Sequence, residues 1–338
     1  MHVQVFDTPR AFEELRDEWN RTLAASAADT LFLTREWQQV WWQVLGDGEM
    51  RVLALREGSD LVGIAPLFFS ENAFGAVEVA LIGCKEVSDY LDFIFVRGYE
   101  ARCFEAVVSF LKSEACPRWD TIGLCNIVEG SLTLSVFCEM LAAEGWRPHV
   151  AFEDVCPVVE LPDTFDAYLG MLDGKERREL QRKLRRASED TRIVFAERAD
   201  TLHEDVEDFL RLMAASTPQK AAFLTPRMRR FFHAAARVMF ECRQLQLAFL
   251  EVEGVRAAAY MNFLYRDAVL VYNSGLEPER YAYLSPGQVL IARLIEKAIA
   301  ERRRVFDFLQ GDEEYKYKLG GKDVRLYTLS ARRAQAAH

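Results

Sequence analysis

Apolar and aromatic residues recur at helical spacing through Arg35–Leu45, with Trp37, Val40, Trp41 and Val44 following Thr34, a good N-cap residue, and preceding Gly46. The spacing predicts an amphipathic helix over 35–45. Apolar runs at 51–56 and 61–69 flank Glu57-Gly58-Ser59-Asp60, which predicts a hairpin closed by a glycine-containing turn. Strands are expected at 77–82 and 91–96, then a helix over 101–115 and a strand around 121–124. The second half repeats this order. Runs at 247–252 and 255–263 flank Glu253-Gly254, a strand follows at 268–273, Ser285-Pro286-Gly287 opens a helix over 287–301, and 304–309 reads as the next strand. The repeat points to duplication of one α/β domain, with chance recurrence of hairpin-plus-helix order as the alternative. The prolines of Cys156-Pro157-Val158-Val159-Glu160-Leu161-Pro162 set the expected boundary between domains 1–156 and 157–338, with no low-complexity linker.

The chain has 338 residues, half of them apolar and 12% aromatic, enough to fill two cores. A formal net charge of -10 gives a summed field that repels DNA, so an anionic partner needs a local basic patch. One stretch supplies such a patch. Lys175 to Arg186 holds seven cations against two anions, either an anion-binding face for a donor phosphate, anionic polymer, membrane surface or tRNA, or a solvated helix face with pairs such as Glu179–Lys183. The region 203–241 reads as helical. The start of the chain has no basic, apolar leader, and no apolar run is long enough to span a bilayer, so a cytoplasmic protein without a transmembrane segment is expected. Seven cysteines without a C-x-x-C pair are expected to be free thiols, and five histidines without metal-ligand spacing give no local imidazole site.

Several segments, taken in order, carry a family likeness. They are Phe32-Leu33-Thr34-Arg35-Glu36-Trp37, Leu61-Val62-Gly63-Ile64-Ala65-Pro66-Leu67, Leu81-Ile82-Gly83, Ser88-Asp89-Tyr90-Leu91-Asp92-Phe93, the basic run at 178–186, Tyr272-Asn273-Ser274-Gly275, Ser285-Pro286-Gly287, and Phe306 through Lys316. Together they resemble the CelD/BcsL-type members of the GNAT acyltransferase superfamily, which are related to the FemAB aminoacyl transferases. The resemblance implies an α/β (α+β) fold of two tandem GNAT-like domains, each a mixed, mostly antiparallel sheet flanked by helices. It also implies transfer of an acyl group from an acyl-CoA or a carrier thioester to an amino group on a small-molecule, sugar or envelope-precursor acceptor, with no metal. Two alternatives stand beside it: an aminoacyl-tRNA-dependent transferase, and a catalytically silent binding protein in polysaccharide assembly.

The resemblance also places the candidate site. A GNAT donor's pyrophosphate sits on amide N–H groups at a helix start, where the helix dipole favours negative charge. Ser285, Gly287, Gln288 and Val289 occupy that position, with the N–H groups of Gly287, Gln288 and Val289 expected to be free; the fuller glycine-rich signature of many such enzymes is missing, and the alternative is that Ser285-Pro286-Gly287 only caps a helix. Asn273 and Ser274 precede this loop and are either candidates for binding the donor or part of a turn with Gly275, while Tyr272 is either a catalytic neighbour of the reacting carbonyl or a core residue. Asp307, inside an apolar strand, is either a general base or a structural acceptor. Tyr315 is a candidate proton donor to the leaving thiolate and Lys316 a partner for anionic charge. Arg178, Asp89, Tyr90 and Trp37 are candidates for binding the acceptor, although helical spacing also suits Trp37 as a core residue.

Overall fold

The computed structural model describes residues 1–84, 87–187 and 191–333. In chain order the elements of the first half are β1 (His2–Phe6), α1 (Arg10–Glu14), α2 (Arg16–Ala24), α3 (Arg35–Leu45), β2 (Glu49–Glu57), β3 (Asp60–Glu71), β4 (Val77–Leu81), β5 (Ile94–Phe95), α4 (Glu100–Lys112), β6 (Thr121–Val128), α5 (Cys138–Ala143) and β7 (Arg147–Glu160). The second half contributes α6 (Phe165–Met171), α7 (Gly174–Ala187), β8 (Thr191–Phe195), α8 (Leu202–Ser216), α9 (Pro218–Phe223), α10 (Pro226–Glu241), β9 (Leu245–Val252), β10 (Val255–Tyr265), β11 (Ala268–Leu276), α11 (Pro286–Ala300), β12 (Val305–Asp307), α12 (Glu314–Lys318) and β13 (Lys322–Arg332).

The chain divides into two compact units, one of Met1–Asp154 with Val324–His338 and one of Val155–Asp323. This differs from the boundary expected at 156/157, and the C-terminal segment falls with the first unit. The reason is strand pairing: β13 runs antiparallel to β6, with Leu326 opposite Val128 and Ala331 opposite Ile122. Sequence adjacency carries no such information.

Each unit has the same order. In the first, β1 pairs β2, β2 and β3 form the hairpin, β3 pairs β4, β4 runs parallel to β6 across helix α4, and β13 pairs antiparallel with β6. In the second, β8 pairs β9, β9 and β10 form the hairpin, β10 pairs β11, β11 runs parallel to β12 across helix α11, and the end of β7 pairs antiparallel with β12. A parallel pair needs a helix-length crossover, which is why a helix precedes β6 and another precedes β12. Both units are therefore mixed, mostly antiparallel sheets with helices, a tandem GNAT-like fold.

The strand expected over 91–96 shrinks to Ile94–Phe95. Leu91 N–H donates instead to the Asn126 carbonyl at 3.0 Å, and the Asp92 carboxylate accepts from the hydroxyls of Ser131 and Thr133, both at 2.5 Å. Two cysteines also depart from expectation: Cys84 and Cys125 are joined as a disulfide, Cα atoms 5.9 Å apart, because the β4–β6 pairing brings the turn after β4 beside β6. Cys103, Cys116, Cys138, Cys156 and Cys242 are not in a disulfide.

Candidate functional site

The geometry of the second unit's site starts from the parallel strand pair of β11 and β12. Register runs Ala268 to Val305, Val269 to Phe306 and Leu270 to Asp307, after which β12 ends while β11 continues to Leu276. Past Leu270 and Asp307 the two strands are no longer paired, which leaves a gap between them. Tyr272 is the extra residue of a bulge at this point, since Met261 faces Asn273 and Asn262 faces Val271.

Helix α11 starts beside this gap. Pro286 suits the first helical position, and Val289, Leu290, Ile291, Leu294, Ile295 and Ile299 are buried, so the helix is held by its apolar surface. Ser285 takes a left-handed conformation with φ of 53°, and its carbonyl accepts the N–H groups of Gln288 at 3.0 Å and Val289 at 3.1 Å. The expected cradle of three free amides is therefore reduced to Gly287, whose N–H has no hydrogen-bond partner among the described residues. Val289 is 2% exposed and belongs to the core rather than to a binding surface.

Helix α7 forms the facing wall. Leu180, Leu184 and Ala187 are buried at helical spacing, which leaves the charged residues on the other faces. Arg182 and Lys183 both pair with Glu179, at 2.7 and 3.2 Å, and hold its carboxyl down at about 2. Lys183 Nζ also donates to Gln288 Oε1, tying the basic helix to the first turn of α11. Lys175 and Arg178 make no ion pair among the described residues. A cavity of about 480 Å³ lies here, lined by Lys175, Arg178, Arg182 and Lys183, by Gln288, and by Tyr315 and Lys318 of α12. Its lining holds five cations against two carboxylates. Of the residues expected at a donor or acceptor site, Arg178, Gln288 and Tyr315 meet in it.

Tyr315 packs on Phe308, ring centroids 6.1 Å apart and nearly perpendicular, and burial followed by the charge of Glu313 pushes its phenol well above the ordinary range. It keeps its proton at neutral pH. Behind it, burial and then the neighbouring Tyr315 and Glu313 raise the Tyr260 phenol in the same sense.

Lys316 has another role than the one expected. It is 2% exposed, and its ammonium donates to the carbonyls of Leu309, Gln310 and Gly311 at 3.0, 2.8 and 3.0 Å while pairing with Glu313 at 2.9 Å. With those partners it organises the loop after β12 instead of facing a ligand. Asp307 also serves that loop: its Oδ1 accepts from Leu309 N–H at 2.8 Å, holding Leu309 at a φ of 55°. Of the two readings of Asp307, this bond is the one a structural acceptor makes.

Lys220, on α9, went unnoticed in the sequence. Its ammonium donates to the Ser274 carbonyl at 2.6 Å and lies 3.2 Å from the Ser274 hydroxyl. Burial lowers its pKa to about 8, with Glu313 opposing that shift and Lys316 adding to it. Its hydrogen bonds hold it at the end of β11, while the charges of the loop after β12 act on it through space. Nothing in its local pattern marks it, because its partners are more than fifty residues away. Asn273 turns its side chain back, Oδ1 accepting from Ser274 N–H at 2.9 Å. The Tyr272 ring packs against Phe263 and Phe232, centroids 4.9 and 5.9 Å away, and is absent from the lining of the basic cavity.

In the first unit Trp37 is fully buried, its indole N–H donating to Ser88 Oγ at 2.9 Å and its ring packed edge-on to Phe32. It is a core residue rather than part of an acceptor cleft. Tyr90 lines a separate cavity of about 280 Å³ with Asp92, Phe93 and Phe95, where burial raises the Asp92 carboxyl. Asp89, expected beside Tyr90 on an acceptor cleft, is half-buried and does not line this cavity.

The second unit thus sets a parallel-pair gap, a strand bulge and a crossover helix beside one cationic cavity. Residues 174–317 match the family model described as an acetyltransferase (GNAT) domain. Among solved structures the chain is similar to FemX, with a TM-score of 0.69, 11% identity and coverage of 97% of each chain. It is also similar to L-PGS from Bacillus licheniformis (TM-score 0.59, 10% identity, 95% of this chain and 92% of that one). A tandem GNAT protein from the clavulanic acid biosynthesis pathway matches with a TM-score of 0.52, 12% identity and full coverage of both chains. At these identities the likeness is one of fold. No curated protein sequence matches the chain. No helix among the described residues is long and apolar enough to cross a membrane.

Proposed function

We propose that the second unit is an N-acyltransferase of the CelD/BcsL type that takes its acyl group from a CoA or carrier thioester. The observation that carries this reading is the cavity in which four cations of α7 face Gln288 and Tyr315. Phosphates on the donor fit that charge, and the single free amide at Gly287 adds one directional hydrogen bond at the positive end of the helix dipole. The thioester then extends toward the gap between β11 and β12. Tyr315, which holds its proton, donates it to the departing thiolate, and Lys220, neutral in about half the molecules near pH 8, takes the proton of the acceptor ammonium. In the transfer the amine nitrogen forms the new C–N bond as the C–S bond breaks; the thiolate leaves with the Tyr315 proton, and the second proton shed by the nitrogen restores the Tyr315 phenol. The acceptor is a small molecule, a sugar or an envelope precursor in the cytoplasm.

A second donor is favoured by one specific feature. The α7 cations extend beyond the cavity, with Arg186 donating to the Tyr283 carbonyl at 2.8 Å, so an aminoacyl-tRNA acceptor stem has a basic helix to lie on. Thermal shift with acetyl-CoA, longer acyl-CoAs and tRNA separates these donors. Stabilisation by CoA thioesters supports the first reading, and stabilisation by tRNA with a steep salt dependence supports the second. Stabilisation by neither leaves a binding protein without transfer chemistry.

A further inference from the structure

We propose that His203, Glu207 and His233 form a binding site for a divalent transition metal, with Zn²⁺ the ion that the donors suit best, clipping helix α8 to helix α10. His203 and Glu207 stand one turn apart on α8, so their side chains leave the same face. His233 approaches from α10. The three donor atoms all lie within 4.8 Å of one another, and His233 Nε2 is already 2.6 Å from Glu207 Oε1. The two imidazoles face each other with centroids 4.5 Å apart and planes inclined by 24°. Sequence spacing could not disclose the cluster, because thirty residues separate its two histidines.

Two imidazole nitrogens and one carboxylate oxygen are a set that Zn²⁺ accepts and that Mg²⁺ and Ca²⁺, which prefer oxygen alone, do not. Tetrahedral Zn²⁺ with bonds of about 2.0–2.2 Å holds its ligand atoms roughly 3.3–3.5 Å apart, so rotation of three surface side chains closes the site. Glu207 is suited to this in a further respect: His233 takes one of its oxygens while Arg229 pairs with the other at 3.3 Å. Arg229 can stay on Oε2 and orient the carboxylate while the metal takes Oε1, as an outer partner does in built metal sites. Three protein ligands leave a fourth position for water.

The site lies between two of the three helices inserted between β8 and β9, and α8 packs directly on β11: an added Cβ at Gly275 would meet the α8 backbone at 2.3 Å. A metal there braces the support of the strand that carries Ser274.

The test is calorimetric titration of the full chain, free of any histidine tag and stripped with chelator, using ZnCl₂ with MgCl₂ as control. One equivalent of Zn²⁺ is expected at micromolar affinity or tighter, with no response to Mg²⁺ and with a rise in melting temperature. His203→Ala and His233→Ala should each weaken binding roughly tenfold or more, while His149→Ala, at an exposed histidine elsewhere, should not. Because His203 and Glu207 are exposed and His233 is only half-buried, circular dichroism should report folded variants. Absence of a stoichiometric event, or equal affinity in the double variant His203→Ala/His233→Ala, overturns the proposal.

Discussion

Lys220 Nζ lies 2.6 Å from the carbonyl oxygen of Ser274, so an amine from a short helix is held against the end of the strand that opens the parallel-pair gap. Burial holds this lysine at about 8, against 10.5 for an ordinary one. Between those values the unfolded chain keeps a proton that the folded chain has released, so the lysine's contribution to stability rises with pH across the window and its penalty is complete below it. Relative to Lys220→Met, the wild type should gain at most about 3 kcal/mol from pH 8 to pH 10.5. Urea denaturation across that range measures it, and a constant difference would remove the buried-amine assignment.

Gly287 separates donor binding from folding. A Cβ there would meet only Leu276 Cδ2, at 3.4 Å, which is ordinary contact. Gly287→Ala should therefore fold and bind donor nearly as the wild type does. Gly287→Asp should fold too, since a carboxylate in the first helical turn is favourable, yet should lose CoA-thioester binding by at least tenfold through charge repulsion. Equal CoA affinity in the two variants would take the α11 start out of the donor site.

The cation wall gives a graded expectation. Arg178→Ala and Lys183→Ala should each weaken an anionic donor by about five- to tenfold, with the loss shrinking as salt is raised. Lys183→Ala also frees Gln288, so its effect should persist better at high salt than that of Arg178→Ala. Isothermal titration at two ionic strengths decides this, and salt-independent losses in both would argue against a phosphate-bearing donor.

Lys316→Met is expected to act on stability. It leaves three loop carbonyls and Glu313 without their ammonium partner, a loss of about 2–4 kcal/mol. Chemical denaturation should show this, and a variant as stable as the wild type but inactive would return Lys316 to the ligand.

Asp307→Asn keeps an oxygen for Leu309 N–H and should change stability and transfer activity little, whereas Asp307→Ala should destabilise by about 1–3 kcal/mol. A folded Asp307→Asn variant without the proposed transfer activity would restore the general-base reading.

Much of the architecture is legible in local pattern. The helix over Arg35–Leu45 with Thr34 as its cap, both hairpins, the helix opened by Pro286 and the repeated order of elements all follow from side-chain periods of 3.6 and 2, which neighbouring residues fix among themselves. The candidate site was legible only where chemistry coincides with local signal. Gln288, Arg178 and Tyr315 stand in segments that announce themselves as a helix start, a basic helix and a strand-end loop, and they do line one cavity. Trp37 and Tyr272 were aromatic in equally suggestive places, but packing gave them to the core and to an aromatic cluster.

The sequence alone determined which segments are helix or strand, the twofold occurrence of one domain plan, and the basic character of α7. Tertiary structure decided that β13 completes the first unit, that Lys316 and Asp307 serve the loop after β12, that Lys220 reaches Ser274, and that His203, Glu207 and His233 converge. The physical reason is range. Backbone and amphipathic preferences act within a few turns, whereas these juxtapositions depend on which distant strands pair and which helix faces find apolar cover, and those are properties of the whole packed chain.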